Sequence, residues 1–156
     1  MKIGIITDTH DLHDVLQKAL DVFTENQVEY ILHAGDITSP STAHAFASID
    51  NARFIAVYGN CDTDKSSLEG VVRGQQGEIH KGRYKGNIAD KKVLMAHEPR
   101  HLGEMPITDD FDLIVYGHTH VQDIHRQGKT LIINPGQSWA VILDLNTMSY
   151  ETFYLD

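Results

Sequence analysis

The sequence predicts an α/β fold: two β-sheets packed face to face as a sandwich, with helices outside them. Three observations carry this prediction. The first third of the chain alternates strand, helix, strand, helix and strand, the pattern of a parallel sheet with right-handed crossovers. The last third is a series of short β segments separated by turn residues. Five of the apolar strands also end in aspartate, asparagine or histidine, as expected where the carboxyl ends of strands build one site.

The elements follow in order. Lys2–Thr7 is short, β-branched and apolar, and reads as a buried strand. From Asp11 to about Asn26, the apolar residues Leu12, Val15, Leu16, Leu20, Val22 and Phe23 recur at helical spacing. Tyr30–Ala34 is a second strand, closed by Gly35-Asp36. Pro40 to about Ile49 reads as a second helix. Ser39 is placed to cap it, and Pro40 takes the first position, where a missing N–H costs nothing. Phe54–Tyr58 is a third strand, closed by Gly59-Asn60. Residues 60–76 read as a loop, with Gly70, Gly74 and Gly77 as breaks. Strands follow within Glu78–Ile88, with turns near Gly82 and Gly86. Lys92–Ala96 is an apolar strand ending at His97, and residues 98–110 read as a loop with room for a short helix. Leu113–Tyr116 ends at Gly117-His118. Val121–Arg126, Thr130–Ile133, Trp139–Leu143 and Tyr150–Tyr154 have β character. Their turns are Gln127-Gly128, Asn134-Pro135-Gly136 and Asn146-Thr147. Trp139 and the aromatic residues near the C-terminus are expected in the core.

The length of 156 residues suggests one domain, 1–156, able to bury roughly 68–70% of its unfolded surface. Its 41% hydrophobic and 22% charged residues are ordinary for a soluble globular protein. No apolar run is long enough for a membrane-spanning helix, and the start reaches Asp8 too early for a secretory signal. The expectation is a cytoplasmic protein with no membrane role. The single cysteine, Cys61, excludes an internal disulfide. A net charge of −9 argues against general nucleic-acid binding, which needs basic surface to displace counterions. Lys81, Arg83, Lys85, Lys91 and Lys92 read as a solvated hairpin face. A homodimer is the default expectation for assembly.

Ten histidines are unusual, and their positions give the count its meaning. The strand ends carry Asp8-Thr9-His10, Gly35-Asp36, Gly59-Asn60-Cys61-Asp62, His97 and Gly117-His118-Thr119-His120. Neighbouring strands lie about 4.8 Å apart, so adjacent ends deliver side chains into one pocket. In Asp8-x-His10 and His118-x-His120, residues two apart face the same way where the backbone is extended. Gly35, Gly59 and Gly117 each precede a candidate ligand and permit a close backbone approach. Asp8, His10, Asp36, Asn60, His97, His118 and His120 together offer two carboxylates, one amide oxygen and four imidazoles. That set suits Mn, Fe, Co, Ni or Zn better than Mg or Ca, and seven donors are too many for one tetrahedral zinc. They suit two ions sharing a carboxylate.

The order Asp-x-His, Gly-Asp, Gly-Asn, His, Gly-His-x-His resembles the calcineurin-like metallophosphoesterases, and within them the small bacterial and archaeal phosphodiesterases without added domains. The resemblance runs from Asp8 to His120 and extends to Asn134-Pro135-Gly136. It implies a metallophosphoesterase-like, four-layer αββα fold. It also implies that Asp8, His10, Asp36 and His120 hold one metal, and that Asp36, Asn60, His97 and His118 hold a second, with Asp36 bridging. Two divalent ions, manganese first among them, would clamp a small phosphodiester and generate a bridging hydroxide for in-line attack. Such ions, two carboxylates and a hydroxide leave a shell of about +1, which favours an anionic substrate.

The sequence departs from the larger family at Cys61, where a histidine often assists the leaving group. Asn60 and Cys61 are the candidate substrate contacts. A thiol is a weak donor, so esters with good leaving groups should turn over best. His97 is followed by Glu98-Pro99, where the family commonly has glycine. Each candidate has an ordinary structural role as an alternative: Asp8 as a helix cap, Asp36 and Asn60 as turn residues. Recurrence at five strand ends favours a site. His33 reads as a buried, hydrogen-bonded histidine, and His13, His44, His80 and His125 as surface residues. His101 is near the site in sequence, with substrate contact as the alternative to a surface role. Cys61 as a covalent nucleophile lacks an evident base. The alternative function is an interaction scaffold resembling the retromer subunit of the same fold, but all seven candidate ligands are present. A different metal-dependent hydrolase, such as an amidohydrolase, would order its ligands differently. Substrate choice falls to residues 61–76 and 98–110.

Overall fold

Strands buried on both faces need near-continuous runs of aliphatic residues, and five such runs form the centre of the molecule. The computed structural model describes residues 1–102 and 110–156. Its elements are β1 (Lys2–Ile6), α1 (His13–Glu25), β2 (Tyr30–His33), α2 (Pro40–Ala47), β3 (Arg53–Val57), α3 (Lys65–Gly74), β4 (Glu78–His80), β5 (Arg83–Ile88), β6 (Lys91–Ala96), a 3₁₀ turn (Pro99–Leu102), β7 (Leu113–Val115), β8 (Asp123–Gln127), β9 (Thr130–Asn134), β10 (Trp139–Asp144) and β11 (Ser149–Tyr154). Two mixed sheets result, ordered β11-β10-β1-β2-β3-β4 and β5-β6-β7-β9-β8. β1 to β4 run parallel, and β10 and β11 extend that sheet antiparallel. β6, β7 and β9 run parallel, with β5 and β8 antiparallel at the edges.

The sheets pack through one apolar layer. Ile3, Ile5, Leu32, Ile55 and Val57 on one side meet Val93, Met95, Leu113, Val115, Leu131 and Ile133 on the other. The opposite face of the six-stranded sheet carries α1, α2 and α3, through Val15, Ala19, Phe23, Phe46, Leu68 and Val72. Phe46 stacks on Phe54 at 6.1 Å. Phe23 lies over Gly4, where an added Cβ would come within 2.5 Å of its ring. Each such buried ring contributes about 1.5–3 kcal/mol, so the sandwich is a rigid frame for its loops. The outer face of the five-stranded sheet holds Leu94, Ile114 and Ile132, covered in part by Leu102, Phe111 and Tyr116.

The predicted two-sheet sandwich with outer helices is the observed fold, and several details differ. Residues 60–76 are not all loop: Asp64 caps α3, its carboxylate accepting the Ser67 N–H at 3.3 Å. Leu68 and Val72, four apart, give α3 a core face, while Gly70 and Gly74 lie in open space and are tolerated at about 1 kcal/mol each. Gly86 is inside β5 rather than at a turn, because the Tyr84 ring folds over it. Glu78–Ile88 crosses from one sheet to the other at Lys81–Gly82. Leu12, counted on the core face of the first helix, is 42% exposed and precedes α1. Trp139 is half-buried, and Tyr150 and Tyr154 are exposed, because β11 is an edge strand with one face in solvent. Ser39 caps α2 as predicted, accepting the Thr42 N–H, with Pro40 at its start. The loop reading of 98–110 is met by the 3₁₀ turn over Pro99–Leu102; residues 103–109 lie outside the described residues. Among the described residues no helix is long and apolar enough to cross a membrane.

Candidate metal centre

β1, β2 and β3 lie side by side, and so do β6 and β7, so the five polar strand ends meet at one edge of the sandwich. The loops that carry them are tied to each other by backbone bonds. Asp8 N–H donates to Gly35 O and His10 N–H to Asp36 O, both at 3.0 Å; Gly117 N–H donates to His97 O at 2.9 Å.

Asp8, His10, Asp36 and His120 offer one ligand atom each, and these atoms all lie within 4.8 Å of one another. His120 Nε2 is 3.2 Å from Asp8 Oδ1, and His10 Nε2 is 3.7 Å from Asp36 Oδ2. The other candidates gather on Asn60. Its Oδ1 is 2.9 Å from His97 Nε2 and 3.1 Å from His118 Nδ1. Asp36 Oδ2 lies between the two groups, 3.3 Å from His97 Nε2. All seven sequence candidates therefore converge, and Asp36 touches both halves.

The donor chemistry fits divalent cations. His97 donates its Nδ1–H to the Ala34 carbonyl at 2.7 Å, so in the neutral ring Nε2 is a lone pair. That lone pair faces two more acceptors, Asn60 Oδ1 and Asp36 Oδ2. Acceptors converge this closely only around a proton or a cation. Asp8 Oδ1 and His10 Nε2 are buried, and among the described residues neither has a hydrogen-bond partner. By contrast Asp8 Oδ2 is fully engaged, accepting the Thr7 hydroxyl at 2.8 Å and the His118 N–H at 3.1 Å. One oxygen is anchored and the other is free to ligate.

Charge follows the same geometry. Burial would raise the Asp36 carboxyl, but the His97 hydrogen bond, the Cys61 N–H and the His97 and His10 rings outweigh it and hold it at about 2. Burial would lower the His97 ring, and its bonds to Asp36 and the Ala34 carbonyl raise it instead. The Cys61 thiol is raised, first by burial and then by Asp36 and Asp62, the opposite of an activated nucleophile.

The backbone at the ligands is not extended, contrary to the spacing argument. Asp8 (φ 52), His10 (φ 45), Asp36 (φ 59), His118 (φ 70) and His120 (φ 63) are all left-handed. In each x-separated pair both members take this conformation, and their side chains still converge. Non-glycine residues pay on the order of 1–3 kcal/mol each for it, and such strain gathers at functional sites. The glycine argument holds on space. A Cβ on Gly59 would sit 2.1 Å from Asp36 Oδ1, and one on Gly117 2.1 Å from Thr7 Oγ1.

Sequence reasoning missed the residues that brace this backbone. Asp62 is 2% exposed; its Oδ2 accepts the N–H groups of Asp36 (2.9 Å) and Gly59 (2.7 Å), and its Oδ1 that of Thr38 (2.7 Å). The signal available was an aspartate two residues past Asn60 in a glycine-led turn. Asn134 donates to Gly117 O and Thr119 Oγ1, clamping the loop that carries His118 and His120. His33 is buried as predicted. It accepts the Gly35 N–H on Nδ1 and donates from Nε2 to Thr9 Oγ1 at 2.9 Å. Asp8 does not cap α1, whose N-cap is Leu12 with no side-chain bond. His13, His44 and His125 are exposed, but His80 is half-buried against Tyr84, with Glu78 3.3 Å away.

A two-sheet α/β sandwich with an aspartate–histidine cluster at its strand ends carries a candidate metal site. The profile of the calcineurin-like phosphoesterase superfamily domain matches residues 1–153, and the chain belongs to that superfamily. It is 32% identical over 151 residues to a phosphodiesterase of Methanocaldococcus jannaschii, covering 95% of this chain and 90% of that protein. A solved archaeal phosphodiesterase superposes with a TM-score of 0.90 at 31% identity, over 99% of this chain and 100% of the other. The zinc complex of the protein Vps29 from Entamoeba histolytica shares the fold, with a TM-score of 0.66 at 15% identity over the full length of both chains.

Proposed function

We propose that this chain is a metal-dependent phosphodiesterase that uses two divalent cations to hydrolyse small phosphodiesters. Asp8, His10, Asp36 and His120 hold one cation; Asp36, Asn60, His97 and His118 hold the other. The observation that carries this reading is the meeting of three lone-pair atoms, His97 Nε2, Asn60 Oδ1 and Asp36 Oδ2, beside the unpartnered Asp8 Oδ1 and His10 Nε2. Manganese is the first candidate, and Ni, Fe, Co and Zn suit the same donors. When bound, two such ions supply an ionised water near neutral pH and neutralise charge on the phosphoryl oxygens.

The protein's own groups set the geometry. The Ala34 carbonyl fixes the His97 tautomer, so that Nε2 points inward. Thr7 and the His118 N–H hold Asp8 so that Oδ1 faces the cluster. The Cys61 N–H holds Asp36 Oδ1 at 2.8 Å and leaves Oδ2 for sharing. Next to Asn60 stands a thiol rather than an imidazole, so the chain offers no strong acid there for a leaving alkoxide. Phosphodiesters with stable leaving groups are the favoured substrates.

The scaffold reading draws support from the Vps29 likeness, which concerns fold alone, and the complete donor set opposes it. The test is hydrolysis of bis-p-nitrophenyl phosphate by chelator-stripped protein with Mn²⁺, Ni²⁺, Co²⁺, Zn²⁺ or Mg²⁺ restored. Asp36→Ala and His97→Ala are assayed alongside. Metal-dependent turnover that both substitutions abolish supports the phosphodiesterase. Metal binding without turnover by any ion sinks it in favour of the scaffold.

A further inference from the structure

Beside the metal centre, on the Asn60–His97 side, lies a cavity of about 220 Å³. Its walls are Tyr58, Asn60, Lys65, Lys81, His97 and His101, with Glu98 at one side. Asn60 and His97 belong to the candidate ligand set, so the cavity opens directly onto the second cation position. At 220 Å³ it is smaller than the roughly 300–1,000 Å³ of pockets for drug-sized ligands, and so holds one substituent of a substrate.

The charges in its wall are unusual for a chain of net charge −9. Lys65 starts α3, and Lys81 stands at the crossover between the sheets. Among the described residues neither has a carboxylate within ion-pair distance, whereas Arg53, Arg73, Lys91 and Arg100 all do. The Lys65 ammonium rests 5.6 Å over the Tyr58 ring, and the Tyr58 hydroxyl donates to the Lys65 carbonyl, so the base of this side chain is anchored. His101 adds a third nitrogen group. Among the described residues that line it the one acid is Glu98, answered by Arg100 at 2.6 Å. The wall therefore carries two ammonium groups without a carboxylate partner among the described residues, beside the proposed second cation position. Lys81, read from sequence as part of a solvated face, is exposed and also lines this wall.

We propose that this cavity is a subsite for a second anionic group on the substrate, a phosphate or carboxylate carried by one arm of the phosphodiester. Lys65 and Lys81 are the specificity-determining residues. The inference rests on the phosphodiesterase reading above. It adds that the preferred diester carries a further negative charge beyond the scissile one.

A symmetric pair of chromogenic esters tests it without ambiguity about which arm enters the cavity: bis-p-nitrophenyl phosphate and bis(3-carboxy-4-nitrophenyl) phosphate. The proteins compared are the full chain, Lys65→Ala/Lys81→Ala and Lys65→Arg/Lys81→Arg, each with the same metal. The expected result is that the wild-type protein favours the carboxylated ester. The alanine variant should lose about tenfold in kcat/KM for that ester, through KM, while staying within about twofold on the plain one. The arginine variant should recover most of the loss. The KM of the carboxylated ester should rise with salt in the wild-type protein and lose that dependence in the alanine variant. An unchanged ratio of the two esters in the alanine variant overturns the subsite, and so does an equal loss on both. Absence of plain-ester turnover in the wild-type protein is a different failure, that of the phosphodiesterase reading itself.

Discussion

Replacing Asp62 by asparagine changes one oxygen to an amide nitrogen and leaves the shape of the side chain. The aspartate receives three backbone N–H groups, from Asp36, Gly59 and Thr38, and is almost fully buried. Two of those donors belong to left-handed residues, Asp36 at φ 59 and Thr38 at φ 68. Holding them there costs on the order of 1–3 kcal/mol each. Hydrogen bonds to a buried charge contribute about 1.5–3 kcal/mol apiece, so three of them outweigh the strain. In Asp62→Asn the amide oxygen can keep the pair from Asp36 and Gly59. Its NH₂ then faces the Thr38 N–H, donor against donor. The expected loss is about 2–3 kcal/mol: one charge-assisted bond, with the other two weakened by loss of the charge.

Urea unfolding of the metal-free protein reads that loss. With a slope of about 1–3 kcal/mol per molar, the midpoint should fall by roughly 1 M. Metal affinity, measured by titration calorimetry, should fall as well, because the weakened bond to the Asp36 N–H holds that residue less firmly between the two halves of the cluster. A midpoint within about 0.2 M of wild type together with unchanged metal affinity would refute the claim that Asp62 braces this backbone.

Three further outcomes follow from the same geometry. Gly59→Ala places a methyl group 2.1 Å from Asp36 Oδ1 and 2.4 Å from its amide nitrogen. It should cost about 1–3 kcal/mol and abolish metal binding, and a calorimetric titration indistinguishable from wild type would contradict this. Burial, assisted by His97, holds the His33 ring neutral with a pKa of about 3, against 6.5 for an unperturbed ring. The unfolded chain therefore takes up a proton that the folded one refuses. Stability from this group is whole above about pH 6.5 and falls by about 1.4 kcal/mol per unit as pH drops toward 3. His33→Gln should lower stability at pH 7 and flatten that acid slope; parallel urea-midpoint curves from pH 7 to pH 4 would count against it. Cys61→His should raise turnover of alkyl phosphodiesters relative to p-nitrophenyl ones by roughly 10²-fold, the contribution of a positioned acid. Equal rates for aryl and alkyl esters in the unsubstituted protein would remove the basis for this expectation.

What the sequence displayed and what it concealed divide along a physical line. β1, β2, β3, β6 and β7 were legible because strands covered on both faces are written as apolar runs, and a candidate ligand stands within three residues of the end of each. The seven candidate ligands were legible for the same reason, since position at a strand end and chemical type are both printed in the chain. α3 was concealed by Gly70 and Gly74, whose weight as breakers hid the shorter signal of Asp64, Leu68 and Val72. The exposure of Tyr150 and Tyr154 was concealed because an edge strand and a central strand share a composition. Most of all, the backbone that aims the ligands was concealed. A left-handed aspartate or histidine looks like any other, and Asp8, His10, Asp36, His118 and His120 take that conformation only because other residues compel it. Asp62 and Asn134 bond backbone groups of ligand loops that are remote from them in sequence, and His33 ties two ligand loops together by accepting the Gly35 N–H and bonding Thr9 Oγ1. They form the layer in which a change leaves all seven candidate ligands present yet misdirects them. A relative that keeps every ligand but lacks the acceptor at Asp62 should therefore bind metal more weakly than its ligand list suggests.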